Sequence, residues 1–167
     1  MTAEITNDIS IRRDLRDGDA DAIAELHRRV YASEYGLNEQ FVEGVRRGLQ
    51  AAVSRGWPQH SGAVWLVDGD TTLLGALGLT HEGEGVGRVR WLVLDPALRG
   101  RGLGRSLVTQ LVDEARQAGL HKLTLETYSD LTAAARIYRG AGFRVQWERV
   151  HEDWGPAVTF QGYMLDL

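Results

Sequence analysis

Apolar positions along this chain recur with two periods, and the switches between them outline a series of strands and helices. "DISIRRDL" (8–15) alternates weakly and predicts a first strand. "DGDA" (17–20) is a turn in which Asp17 or Asp19 can cap a helix. Ile23, Leu26 and Val30 then fall at helical spacing and predict a helix over 20–34. "EYGLN" interrupts it. Asn38 stands where it can cap a second helix over 39–54, with Phe41, Val45 and Leu49 on one face. The patterning then changes to that of strands. "AVWLVDGDTTLLGALGLT" holds two apolar runs around Asp68-Gly69, a hairpin signal. "GVGRVRWLVLD" (85–95) is a further strand, stopped by Pro96.

Leu103, Leu107, Leu111 and Ala115 recur every fourth residue and predict a helix over 102–118, closed by Gly119. "HKLTLET" (121–127) is a short strand. Asp130 is placed to cap a helix over 131–141 that Gly142 ends. "FRVQWERV" and "VTFQGYMLDL" are closing strands joined by "HEDWGPA". The order is β-αα-βββ-α-β-α-ββ. It predicts an α/β (α+β) fold, a mixed twisted sheet of about seven strands with helices on both faces. Strand 85–95, helix 102–118 and strand 121–127 form one βαβ unit, so those strands should run parallel.

The 167 residues suit one domain, and 43% of them are hydrophobic, enough for a sizeable core. A net charge of −4 speaks against a nucleic-acid partner. No apolar run reaches a membrane span, and "MTAEITNDIS" has no signal-peptide core, so a cytoplasmic location is expected. The absence of cysteine removes disulfides, thiolate metal sites and a cysteine nucleophile. His27, His60, His81, His121 and His151 are scattered without metal-ligand spacing, so no metal is expected. No G-x-S-x-G elbow is present.

The densest chemical signal is "LDPALRGRGLGRSLV" (94–108), the turn inside the βαβ unit. Gly100, Gly102 and Gly104 permit backbone angles and a close approach that side chains would block. The amides of 101–106 open a helix, lack internal partners and carry the positive end of its dipole. Arg99, Arg101 and Arg105 add charge, so the turn suits a phosphate or pyrophosphate. It matches neither G-x-G-x-x-G nor the Walker pattern. A glycine turn with merely solvated arginines is the alternative.

"RGRGLG" (99–104) resembles the R/Q-x-x-G-x-G/A signature of the GNAT acetyltransferase superfamily, and "LTAAARIYRGAGF" (131–143) resembles its A-x-x-x-Y-x-x-x-G-F segment. The element order also resembles the GNAT fold over nearly the whole chain. More narrowly, "YASEYGLNEQF", "ETYSDLTAAARIY" and "GYMLDL" look like the acetyltransferase half of bacterial MarR-type fusions, without a DNA-binding half here. The resemblance implies an N-acetyltransferase that takes its acetyl group from acetyl-CoA. The amine of a small molecule or amino acid would attack directly. A peptide or protein N-terminus and a non-catalytic CoA-binding sensor are the alternatives.

By that resemblance, residues Arg99, Gly100, Arg101, Gly102, Leu103, Gly104, Arg105 and Ser106 hold the pyrophosphate. The pantetheine lies along strand 90–95, where Val93 or Leu94 offers an amide to the thioester oxygen. Tyr138 is the general acid; a phenol titrates near pH ~10 and keeps its proton at neutrality. Core packing beside "GF" is its other role. Glu126, twelve residues earlier, is a base or a structural strand-end acid. Leu131 stands where the family has Asn; backbone groups or Ser129 then replace that contact with the pantetheine. Tyr31, Glu34 and Tyr35 lie on the turn that covers the amine end of the channel, where a carboxylate beside aromatic faces suits a cationic amine. Packing of these tyrosines on the core is the other option. Trp154, with His151, would face them; all five tryptophans, Trp57, Trp65, Trp91, Trp147 and Trp154, could shape the pocket, but most are expected in the core, with Trp91 and Trp154 the two pocket candidates. Family members are often dimers, so a homodimer is compatible.

Overall fold

The computed structural model describes residues 9–167. Strands β1 (Ser10–Arg12), β2 (Ala63–Asp68), β3 (Leu73–Gly83), β4 (Val86–Leu94), β5 (Lys122–Tyr128), β6 (Arg144–His151) and β7 (Val158–Asp166) form one seven-stranded sheet in the order β1-β2-β3-β4-β5-β7-β6. Helices α1 (Asp19–His27), α2 (Ser33–Tyr35) and α3 (Glu39–Ser54) precede β2, α4 (Leu103–Gln117) joins β4 to β5, and α5 (Thr132–Gly140) follows β5. The mixed sheet and the element order are those the sequence predicts.

The run "AVWLV" in β2 is apolar throughout because both faces of the strand are covered. Ala63, Trp65 and Val67 enter a core with Leu107, Leu111 and Ala115 of α4. Val64 and Leu66 enter another with Ile23 and Leu26 of α1 and Leu49 and Ala52 of α3. A third cluster joins Ala24, Phe41 and Val42 to Tyr128, Val158 and Phe160 of β5 and β7. The α1–α3 layer therefore packs on both halves of the sheet.

Several local expectations change. The helix predicted over 20–34 is α1, a π-helical turn over Arg28–Ala32, and α2. Neither Asp17 nor Asp19 caps it; Gly18 holds the cap position at φ 87° with no side-chain bond. Asp19 instead accepts Arg12 Nη1 at 2.6 Å, while Arg12 Nε donates to Asp68 at 2.8 Å, so one arginine ties β1 to α1 and β2. Asp130 does not cap α5 either, because Leu131 occupies the cap position without a side-chain bond. Strand 85–95 begins at Val86, since Glu84 and Gly85 have φ of 54° and 75° and form the β3–β4 turn. The first strand shortens to Ser10–Arg12, and Asp8 of the predicted strand lies outside the described residues. Trp147 is not in a core: it is 39% exposed on edge strand β6.

β4 and β5 are parallel, as the βαβ unit requires, but they pair only at Val86–Arg88 with Lys122–Thr124. Beyond that point the sheet opens. Asn38 fastens the helical layer near the opening. Its side chain accepts the Gln40 and Phe41 amides of α3, its amide donates to Trp154 O at 2.9 Å, and its Nδ2 donates to Asp153 O at 3.2 Å. Replacing Asn38 with Ala should cost about 1–2 kcal/mol, the range of a lost helix cap, measured as a lower urea midpoint with an unchanged m value.

Candidate active site

The opening between β4 and β5 is shaped by one backbone irregularity. Trp91 has φ 56°, a conformation costly for a bulky residue, and the β3–β4 register shifts between Ala76 and Gly78 beside it. The indole fixes this bulge by packing on Trp57 at 4.9 Å between ring centroids. Across the pair stands Gly78, where a Cβ would lie 2.7 Å from Trp91 Cε3; any side chain there would displace the indole. Past the bulge, the Tyr31 hydroxyl donates to the Leu92 carbonyl at 2.8 Å, serving a backbone group that no neighbouring strand reaches.

Two cavities meet at this opening and share Tyr31, Leu92, Leu131 and Ala134 in their walls. The first, about 470 Å³, runs from Val93 and Leu94 to Arg99, Gly100, Gly102, Leu103, Gly104 and Arg105. Gly100 and Gly102 have φ of 77° and 72°, and a Cβ at either would meet open space. The glycines are thus required by backbone shape, and they leave the first α4 amides uncovered. Ser106 departs from expectation. Its amide already donates to Gly102 O at 3.0 Å, its hydroxyl accepts Gln110 Nε2 at 3.3 Å, and it is absent from the wall. Arg101 is exposed beside the loop and does not line the cavity.

The second cavity, about 340 Å³, is lined by Tyr138, Glu126, Trp91 and Trp154 of the expected residues. The expected acceptor group at the α2 turn divides. Tyr31 lines both cavities, but Tyr35 lines only the first. Glu34 lines neither: it accepts Arg99 Nη2 at 2.8 and 3.0 Å. The carboxylate expected to attract an amine is paired with Arg99 at the first cavity, beyond a π-helical turn over Arg28–Ala32 that interrupts the α-helical phase. The second cavity instead holds residues not anticipated: His27, Tyr128, Phe160, Arg88, Arg90 and Arg149.

A sequence model described as "Acetyltransferase (GNAT) family" matches residues 22–143. The chain belongs to this family. It is an acyltransferase by that membership. It is 29% identical over 136 residues to the uncharacterized N-acetyltransferase YjgM of Escherichia coli (strain K12), covering 80% of this chain and 81% of that protein. It is 34% identical over 120 residues to the mycothiol acetyltransferase of Beutenbergia cavernae, covering 71% of this chain but 39% of the relative. Its fold matches that of yncA from Salmonella typhimurium, solved with its cofactor acetyl-CoA, with a TM-score of 0.69 at 21% identity over 95% of this chain and 94% of that one.

In this GNAT acetyltransferase Tyr138 is buried against Phe143 and Tyr163, each ring centroid 5.9 Å away. Burial raises its pKa well above the ordinary phenol value, so the hydroxyl keeps its proton. Glu126, exposed, lies 3.4 Å from Arg88 Nη2. Trp154 packs on Phe41 at 5.2 Å and His151 at 4.3 Å. The Tyr128 hydroxyl and His151 Nε2 are buried without a hydrogen-bond partner among the described residues. No cluster of three or more His, Asp or Glu among those residues could hold a metal ion, and none of their helices is long and apolar enough to cross a membrane.

His27 lies under the second cavity with Nδ1 2.8 Å from Ile23 O, and burial lowers its pKa from 6.5 to about 4. The folded state therefore resists the proton that the unfolded state accepts. Stability should be intact above pH ~6.5 and fall as the pH drops towards ~4, by up to about 3 kcal/mol from this group. Urea unfolding at stepped pH checks this: the stability difference between wild type and His27→Gln should shrink as pH falls through that window.

Proposed function

We propose that this chain moves an acetyl group from acetyl-CoA to the primary amine of a small molecule or amino acid by direct attack. The observation that carries the proposal is the junction of two cavities at a parted pair of strands, with a glycine cradle at one end and a proton-holding tyrosine beside the other. The open left-handed loop and the wall position of Arg105, without a carboxylate partner among the described residues, fit a pyrophosphate. Acetyl-CoA, when bound, supplies an acetyl group activated as a thioester.

The loop 99–105 would grip the phosphates, with Arg99 exchanging Glu34 for them. The Asp95 amide points towards β3, donating to Leu74 O at 2.7 Å, so strand alternation turns the Leu94 amide to the open edge. Among the two expected residues, Leu94 is thus the better oxyanion donor and Val93 a wall residue. Leu131 gives the pantetheine an apolar contact in place of a side-chain hydrogen bond. Tyr138 holds a proton at Oη for a departing thiolate, and Glu126 accepts the amine's proton directly or through water. The narrower likeness to the acetyltransferase half of regulator fusions rests on three short segments, and this reading does not depend on it.

Thiol release from acetyl-CoA across small amines, amino acids and peptides tests the proposal. Release with amines or amino acids supports it; release only with peptides moves the acceptor to protein N-termini; acetyl-CoA binding without release by any of them overturns the transferase reading. Two variants sharpen the roles. Tyr138→Phe should lower kcat about 10²-fold with the acetyl-CoA Kd unchanged by calorimetry. Glu34→Gln should tighten acetyl-CoA binding by up to about fivefold, the scale of an exposed ion pair, whereas Arg99→Ala should weaken it by about 1–3 kcal/mol, less at high salt.

A further inference from the structure

The second cavity carries positive charge that an amine acceptor does not explain. Its walls hold Arg88, Arg90 and Arg149 against the single acid Glu126. Glu126 lies 3.4 Å from Arg88, and Arg149 is exposed and lies over the Trp147 and Phe160 rings at 5.2 and 5.6 Å. Arg90 is different. It is partly buried, and among the described residues its guanidinium has neither a hydrogen bond nor an ion pair. Its guanidinium lies over the Trp91 ring at 4.3 Å, and the residue lines the cavity wall.

The helix above makes room for this group. Gly44 and Gly48 stand four residues apart in α3, where each weakens the helix relative to alanine. A Cβ on Gly48 would lie 2.6 Å from Arg90 Nη2, while one on Gly44, in the cavity wall, would meet open space. Burial first, then the like charge of Arg88, pushes Arg90 down to about 10, so it remains a cation at neutral pH. Glu82 and Glu126 offset this only at a distance, without a direct ion pair among the described residues; a half-buried cation so placed is costly, and a bound anion relieves that cost. Beside it stands an aromatic wall in which Trp154 packs on Phe41 and Phe160 at 5.2 and 5.4 Å.

We infer that Arg90 is the binding site for a carboxylate of the acceptor, so that the acceptor is an α-amino acid with an apolar or aromatic side chain seated against Phe41, Trp154 and Phe160. This rests on the transferase reading for the role of the amine. The carboxylate takes the N–H edge of Arg90, two residues before Leu92, and the amine is thereby presented at the junction. A polyamine meets three arginines instead and is disfavoured.

The test compares matched acceptors: L-phenylalanine and L-methionine, their amides, and phenethylamine and 3-(methylthio)propylamine. With the full chain and saturating acetyl-CoA, kcat/KM for each acid should exceed that of its amide and amine by at least about tenfold. Arg90→Gln should collapse that ratio towards one, and Gly48→Ala, which displaces the guanidinium without removing it, should reduce it; an unchanged CoA Kd shows that each variant is folded. Calorimetry of the same amino acids against the CoA-loaded protein supplies a second readout. Equal use of acid and amine, or an acid preference that survives Arg90→Gln, overturns the carboxylate site and leaves the transferase reading standing. Amino-acid binding lost in Arg90→Gln, with no thiol release from any acceptor, supports the site and overturns the transferase reading. Neither binding nor release overturns both.

Discussion

The parting of β4 from β5 is the constraint on which the rest of this molecule depends. Two parallel strands that begin in register at Val86–Arg88 give up their pairing within one chain segment, and the backbone groups so released must be satisfied in another way. The Trp91 bulge turns β4 aside, and the Tyr31 hydroxyl takes up the Leu92 carbonyl. Parting the strands in mid-sheet would divide the domain were it not bridged on both faces. On one face α4 packs Leu107 and Leu111 against Trp65 and Leu77 on one side of the split and Leu123 and Leu125 on the other. On the opposite face α1 and α3 reach both halves through separate clusters. The apolar layers thus carry the stability that the missing ladder does not.

Charge is distributed to match. Arginines stand at both ends of the joined cavities, Arg99 and Arg105 in one wall and Arg88, Arg90 and Arg149 in the other. Between them the shared wall of Tyr31, Leu92, Leu131 and Ala134 is uncharged. Tyr138 stands on the second side of that wall, buried among Phe143 and Tyr163, where desolvation opposes its ionisation. On the proposed reading, a neutral waist between cationic ends would let one ligand be held by phosphates and another by a carboxylate without either competing for the donor in the middle.

Much of this was legible in the sequence because its signals are local. The βαβ unit follows from apolar periods, the glycine turn from Gly100 and Gly102, and the α3 cap from Asn38, each set by residues within a few positions. What was not legible depends on distant geometry. Glu34 stands between two tyrosines in the sequence and suits an acceptor ligand there, but it pairs with Arg99, 65 residues away, past a π-helical turn that no apolar period reveals. The caps at Asp19 and Asp130 failed for a similar reason. Asp19 is claimed by Arg12 from β1, and α5 starts one residue later than its composition suggests. The arginines of "GRVRW" did leave a trace. Arg88 and Arg90 alternate with buried Gly87 and Val89, the pattern of a strand with one face on a cavity.

The displacement of Glu34 reverses the expected chemistry of the acceptor. With that carboxylate in the cavity wall, a cationic amine would find its counter-charge there before reaction, and a cation would be the preferred ligand. In the arrangement observed, the only acid in the wall among the described residues is Glu126, and Arg88 already lies beside it. An ammonium entering alone therefore gains little and meets Arg90 and Arg149 as like charges, which raises the cost of binding the protonated form. Direct attack requires the amine to be neutral in any case, so a pocket that disfavours the ammonium works in the direction of catalysis. Such a pocket must obtain its affinity elsewhere in the ligand. On the proposed reading Arg90, which lies over Trp91 and has no ion pair among the described residues, would supply it.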